Sequence, residues 1–270
     1  LGLGLRTSIH MVYPQAVPGK PFIDADNCTK LTKNKCGVCE KVCPTKAIKF
    51  DDKEEFINKE VGAIVMATGY DLFNWEEAYG EYGYGKYPDV ISGLHFERLV
   101  SAGGPTGGKI KRPSDGKEPK SVAFIKCVGS RDDTKGKSYC SRACCMYTAK
   151  HAYQVKDKIP DSEAYVFYMD VRTAGKNYEE FYQRALNAGA RYIRGRVSKI
   201  YPRGDRLVLK SEDSLLGRPV EVEADMVVLA TAMVPAAGSD ELARTVGFSM
   251  DKDGFYQEAH PKLQPVETFA

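Results

Sequence analysis

Eight cysteines constrain this 270-residue chain more than any other feature. They fall as Cys28, Cys36, Cys39 and Cys43, and again as Cys127, Cys140, Cys144 and Cys145. Two groups of four suit a secreted disulfide framework by number, but such frameworks belong mostly to small domains that lack a core. This chain is long, 43% hydrophobic and well supplied with apolar strands. Thiolate-bound metal in a reducing compartment, the cytoplasm, is the better reading. A net charge of +3 is too close to neutral to mark a nucleic-acid or membrane surface. No apolar run is long enough to span a bilayer, and no signal peptide is recognised. The chain opens at Leu1 inside what reads as structure, and the expectation is an internal fragment of a longer polypeptide.

The first group has the pattern Cys28-x7-Cys36-x2-Cys39-x3-Cys43-Pro44. Tight turns in CGVCEKVCP let several sulfurs converge on one small cluster, and a proline after the last cysteine marks bacterial ferredoxin runs. Zinc also takes C-x2-C pairs, but commonly as two separated pairs, so the spacing favours iron–sulfur. The long spacer after Cys28 reads as a short looped-out insertion. TKAIKF, following Pro44, fits a closing strand. In two-cluster ferredoxins the cysteine before proline serves the other cluster, so Cys43 has two possible assignments.

The second group lies within an α/β pattern. VGAIVMATGY (61–70) reads as a buried parallel strand ending in Gly69, and DMVVLAT (225–231) as a similar one. SVAFIKC (121–127), a helix from Cys140 to Val155, and AYVFYM (164–169) form a strand–helix–strand unit. LHFERLVSA suggests a helix, GGPTGGKIKRPSDGKEPK an exposed connection, and RLVLK with PVEVE a short antiparallel pair. Asn177 and Glu180 resemble a capping box for YEEFYQRALNAG, which Gly189 can close.

On that helix Cys140 and Cys144 would share a face, with Cys145 rotated by roughly a quarter turn. Three sulfurs at a helix start and Cys127 at a strand end can surround one anionic cluster, favoured by the helix N-terminus and by Arg131 and Arg142. A dinucleotide-binding turn here would carry G-x-G-x-x-G, and CVGSRDDTKGKSYCSRACC does not. A redox-active disulfide using Cys144 or Cys145, and plain buried cysteines, are the rivals. None of His10, His95, His151 and His260 sits in a nucleophile or zinc motif; they read as structural or exposed.

The stretches YPQAVPGKPFID, CGVCEKVCP, VGAIVMATGYD, FIKCVGSRD, YCSRACCMY, AGKNYEEFYQRA and RYIRGRVSKI closely resemble the A-type subunits of the heterodisulfide reductase family. Homologous subunits also occur in quinone-interacting membrane-bound oxidoreductase complexes. The resemblance implies an α/β, thioredoxin-reductase-like two-dinucleotide-fold flavoprotein core with an inserted ferredoxin-like iron–sulfur module. It implies FAD and an unusual [4Fe-4S] cluster on Cys127, Cys140, Cys144 and Cys145, beside a ferredoxin-type site on Cys28, Cys36, Cys39 and Cys43. Ala67, Thr68 and Gly69 match an ATG turn close to the flavin nucleotide, and Ala230 and Thr231 begin a similar turn. The implied division is 1–54 as the second half of a ferredoxin-like module and 55–118 as part of the FAD-binding domain with its connection. Residues 119–224 then form a pseudo-nicotinamide-binding domain with the unusual cluster, and 225–270 return to the FAD-binding domain. The implied function is electron transfer between FAD and [4Fe-4S] clusters, with flavin-based electron bifurcation one form of it. No acid–base or nucleophile constellation is visible. The implied partners are other heterodisulfide-reductase-like subunits and ferredoxin or hydrogenase-type electron donors, with no nucleic acid and no direct membrane span.

Overall fold

A computed structural model describes residues 3–53, 55–74 and 78–268. The chain divides into two compact units, Leu1–Met66 and Ala67–Ala270. In the first unit, β1 (Ile9–His10) pairs antiparallel with β2 (Phe22–Ile23). Two single-turn helices follow, α1 (Thr29–Lys33) and α2 (Val38–Val42). The expected strand in TKAIKF does not form: residues 45–50 find no ladder partner among the described residues.

The second unit starts with β3 (Tyr70–Leu72), β4 (Val90–Ser92) and α3 (Gly93–Val100). Then come β5 (Ser121–Val128), α4 (Cys144–Lys158), β6 (Glu163–Tyr168), α5 (Tyr178–Asn187) and β7 (Arg191–Arg194). A meander of β8 (Lys199–Arg203), β9 (Arg206–Asp213) and β10 (Arg218–Ala224) leads to β11 (Met226–Thr231), β12 (Met233–Pro235) and α6 (Ser239–Val246). Strands β4, β11, β5, β6 and β7 make a parallel sheet in that order, and β12 pairs antiparallel with β3.

The sheet forms where the apolar runs are continuous. Every residue of β5 and β11 is buried, as a parallel strand covered on both faces requires. Helix α4 covers one face with Cys144, Thr148, Ala149, Ala152 and Val155, a spacing near 3.6. Phe124 of β5 meets Phe96 of α3 edge-on, with ring centroids 5.4 Å apart.

Several local expectations are corrected here. VGAIVMATGY is not a buried parallel strand: Val65 is 87% exposed, and only Tyr70 of that stretch enters a ladder. An apolar run needs strand neighbours to become a sheet element, and the position between β4 and β5 is taken by β11. The helix after Cys127 begins at Cys144, leaving Cys140 in the preceding loop and off any shared helical face. Asn177 does stand at the N-cap of α5 but makes no side-chain cap, because its left-handed backbone (φ 62°) is not the extended conformation that capping uses. The capping box belongs to α3, where Ser92 and His95 exchange hydrogen bonds. The 103–120 connection is also not wholly exposed, since Ile110 is buried and Arg112 pairs with Asp89 at 3.0 Å.

Truncating the sheet–helix contact tests this core. Phe124→Ala is expected to lower the unfolding free energy by about 3–5 kcal/mol in chemical denaturation. A loss under about 1 kcal/mol would contradict the packing described.

Candidate functional site

In open α/β sheets, ligands gather outside the carboxyl ends of the strands, and the second cysteine group lies at that edge. Cys127 stands one residue from the end of β5, with φ 59°. A left-handed backbone costs a residue with a Cβ roughly 1–2 kcal/mol, so a cysteine where glycine would be less strained points to a use for the thiol. The ladder between β5 and β11 is irregular at the same level, shifting register between Leu229 and Thr231.

The kink brings Cys127 beside Cys144 and Cys145 in the first turn of α4. These three side chains are buried, and Ala230 packs against Cys144 and Cys145. Cys144 shares its S–H with both neighbours, which pushes its own pKa up. That donation brings Cys145 down to about 5 and Cys127 down to about 7. Lys126, itself buried, lowers both further, and the backbone N–H of Arg172 donates to Cys145 Sγ at 3.3 Å. Lys126 Nζ also donates to the Asp170 carbonyl at 2.8 Å. A buried lysine and a helix N-terminus both favour negative charge on these sulfurs.

Cys140 lies in the loop before α4. Its Sγ accepts the Arg142 N–H at 3.3 Å, and it lines a cavity of about 650 Å3 with Gly69, Tyr70, Tyr139 and Tyr256. The flanking residues are braced. Tyr139 Oη donates to the Met233 carbonyl at 2.8 Å, and Ser141 Oγ accepts from Met233 N–H at 3.1 Å and lies 2.7 Å from Ser130 Oγ. Arg131 pairs with Asp170 at 2.6 Å and, as expected, its charge also favours the Cys127 thiolate.

The loop itself is organised by Asp132, which is buried. Its carboxylate accepts from Thr134 Oγ1 at 2.6 Å, from Tyr79 Oη at 2.5 Å and from Arg196 at 2.5 Å. The Thr134 and Tyr79 hydroxyls hold that carboxyl far below the usual carboxylate range.

The first group is arranged within its own unit. Cys28, Cys36, Cys39 and Cys43 all line one cavity of about 640 Å3 with Ile9 and Val38. Cys36 has φ 86°, a second cysteine in the left-handed region. The N–H groups of Val38 and Gly37 lower its pKa, while Thr45 and then Ala47 N–H, the latter at 3.4 Å, lower that of Cys43. Among the described residues no three His, Cys, Asp or Glu side chains converge closely enough to hold a single metal ion.

Of the proposed flavin contacts, Ala67 and Thr68 are exposed coil, and Gly69 turns with φ 75°. Ala230 and Thr231 are buried at the end of β11, and Thr231 lines a smaller cavity of about 100 Å3 with Tyr70 and His151. β3 pairs antiparallel with β12, Tyr70 opposite Pro235 and Leu72 opposite Met233, so the two turns stand at opposite ends of this short ladder. His151 is buried and bonds Glu97 at 2.7 Å through Nε2, a structural role. Lys126 and Asp132 lie within FIKCVGSRD, but the sequence by itself assigns no role to either. A lysine inside the apolar run SVAFIKC is the available signal for the first, because a buried charge needs a partner.

The fold and these thiols define an α/β protein with a cysteine centre at the carboxyl edge of a parallel sheet. No protein-family model matches the chain. It is 49% identical over 269 residues to the A-type subunit of the H(2):CoB-CoM heterodisulfide,ferredoxin reductase of Methanothermobacter thermautotrophicus, covering 99% of this chain and 40% of that protein. It is 48% identical over 271 residues to the iron-sulfur A-type subunit of the CoB–CoM heterodisulfide reductase of Methanocaldococcus jannaschii, with the same coverage. A solved thioredoxin reductase from T. acidophilum aligns at 14% identity and a TM-score of 0.42 over 70% of this chain and 49% of its own. The chain is thus a homologue of the heterodisulfide reductase A-type subunits, spanning about two fifths of the length of those relatives. No helix among the described residues is long and apolar enough to cross a membrane.

The Asp132 brace is open to test. Asp132→Ala is expected to cost about 2–3 kcal/mol of stability, because Tyr79 and Arg196 lose their shared acceptor. Trypsin should then cut faster after Lys135 and Lys137. Unchanged cleavage and stability would remove Asp132 from its organising role.

Proposed function

We propose that this chain is part of an electron-transfer subunit of a heterodisulfide-reductase-like oxidoreductase, holding two iron–sulfur clusters and contributing to an FAD site. The observation that carries the reading is the trio Cys127, Cys144 and Cys145, buried with Lys126 at the carboxyl edge of the sheet. Relatives described as heterodisulfide and ferredoxin reductase subunits support the oxidoreductase class.

The donor sets fit such clusters. Both groups offer four thiols, N–H donors aimed at sulfur, and cysteines in backbone conformations that glycine would adopt with less strain. In the first group the four thiols line one cavity, and their C-x2-C-x3-C-P spacing favours a multi-iron cluster over a lone zinc ion. Cys127, Cys144 and Cys145 hold the second cluster with Cys140 as fourth ligand, and Cys28, Cys36, Cys39 and Cys43 hold the first. When bound, the clusters supply single-electron storage, and FAD supplies exchange between an electron pair and single electrons. Lys126 and the start of α4 offset thiolate charge, and the burial of the trio keeps water from the sulfurs. Ala67, Thr68 and Gly69, with Ala230 and Thr231, would supply the two turns toward the flavin nucleotide. The partners in this reading would be other heterodisulfide-reductase-like subunits and ferredoxin or hydrogenase-type donors, in a cytoplasmic setting, with flavin-based bifurcation as its more specific form.

The rival is a thiol–disulfide oxidoreductase in which Cys144 or Cys145 attacks, and the low pKa of Cys145 beside Cys144 is its support. Iron and acid-labile sulfide analysis after anaerobic purification separates the two. Two clusters require about eight irons per chain. Cys145→Ala should remove the electron paramagnetic resonance signal of one cluster and Cys39→Ala that of the other. Absent iron with titratable dithiols would instead establish the rival.

A further inference from the structure

The carboxyl ends of β5 and β6 open on another cavity, of about 630 Å3, which none of the cysteines lines. It lies between the starts of α4 and α5, with Arg142 and Ala143 from one side and Lys176, Asn177 and Tyr178 from the other. Arg142, Lys150, Lys176 and Arg184 bring four cations to it, and no carboxylate is part of its lining. Lys150 is paired with Glu97 at 2.6 Å. Among the described residues, Arg142, Lys176 and Arg184 make no ion pair. Glu179, in the first turn of α5, is turned to Thr173 and Gln183 and stays out of the cavity.

Uncompensated cations around a concave site repel one another, and an anion relieves that repulsion. The N-caps of the ten-residue α5 and the fifteen-residue α4 carry no side-chain cap, so the helix dipoles add to the same field. The remaining lining is mostly apolar and includes the rings of Tyr147, Tyr178 and Phe181. Tyr178 is 46% exposed, and Phe181 lies under the Arg184 guanidinium at 5.5 Å. The volume falls within the roughly 300–1,000 Å3 of small-molecule sites. A small anion alone would leave the exposed Tyr178 ring uncovered, and an apolar ligand would leave the cations unpaired.

We propose that this cavity binds a nucleoside diphosphate, with its phosphates among Arg142, Lys176 and Arg184 and its base against Tyr178 and Phe181. Side chains take the place of the G-x-G-x-x-G loop that this sheet edge lacks, because the β5–α4 loop is committed to the cysteines. None of the cysteines lines this site, and only the account of the missing glycine loop rests on the proposed function.

Isothermal titration of the anaerobically purified chain with ADP and with inorganic pyrophosphate tests the assignment. Saturable binding of ADP, tighter than that of pyrophosphate, is expected. Lys176→Glu and Arg184→Glu should each weaken ADP at least about tenfold, the loss of one charge-assisted contact. Tyr178→Ala should weaken ADP by about tenfold while leaving pyrophosphate unchanged, the value of one stacked base. Lys199→Glu on β8 makes the same charge change on an exposed strand outside the cavity and should leave binding as it is. Circular dichroism of each variant reports that the fold is retained, and Lys176→Ala serves if a charge reversal unfolds the chain. No saturable binding of ADP at millimolar concentration overturns the proposal. So does pyrophosphate binding as tightly as ADP, or equal weakening by Lys199→Glu.

Discussion

The left-handed turn at Cys127 is the constraint around which the second unit is arranged. Strand β5 is buried along its whole length and paired on both sides, so it cannot bend except at its end. The conformation at Cys127 breaks the alternation of side chains just as the ladder to β11 shifts register. Lys126 and Cys127, which would point to opposite faces of a regular strand, therefore both influence Cys145. The strain of roughly 1–2 kcal/mol persists only because the flanking strands over-determine the backbone. A cysteine centre built on a rigid strand and a helix start is held more precisely than one built on loops.

The loop between β5 and α4 is long, and its order comes from charge and hydroxyl groups. Asp132 gathers Thr134, Tyr79 and Arg196, which come from the loop, from the segment before β4 and from the connection between β7 and β8. A single carboxylate thereby ties together three segments that are far apart in the chain. Ser130, Tyr139 and Ser141 close the other end of the loop on β12. Cys140 lies between these fixed points, in a segment held by few and specific contacts.

Continuous apolar runs make β5, β6 and β11 legible in the sequence, and the alternating RLVLK and PVEVE mark the β9–β10 pair. The same signal misleads at VGAIVMATGY, because hydrophobicity identifies a segment fit for a sheet but not whether a neighbour is available. The start of α4 is obscured for a related reason. Cys140, Cys144 and Tyr147 keep near-helical spacing, but Arg142 adopts φ 59° and ends any helical continuation toward Cys140. The grouping of Cys127 with Cys144 and Cys145 is readable from a strand end facing a helix start. Asp132 is not, since its importance arises from Tyr79 and Arg196, residues 53 and 64 positions away.

Electrostatics links the cysteine centre to the cationic cavity beside it. Burial would normally raise thiol pKa values, yet Cys145 and Cys127 are lowered. The reversal comes from the proton held by Cys144, from Lys126 and from the N–H of Arg172, all within the sheet edge. Arg142, by contrast, contributes its backbone N–H to Cys140 and exposes its side chain to the cavity. One residue therefore serves the two sites with different groups, and the cation stays available to an external anion. An edge that concentrates positive potential at two depths can stabilise thiolates inside and anions outside without the two competing for the same charge.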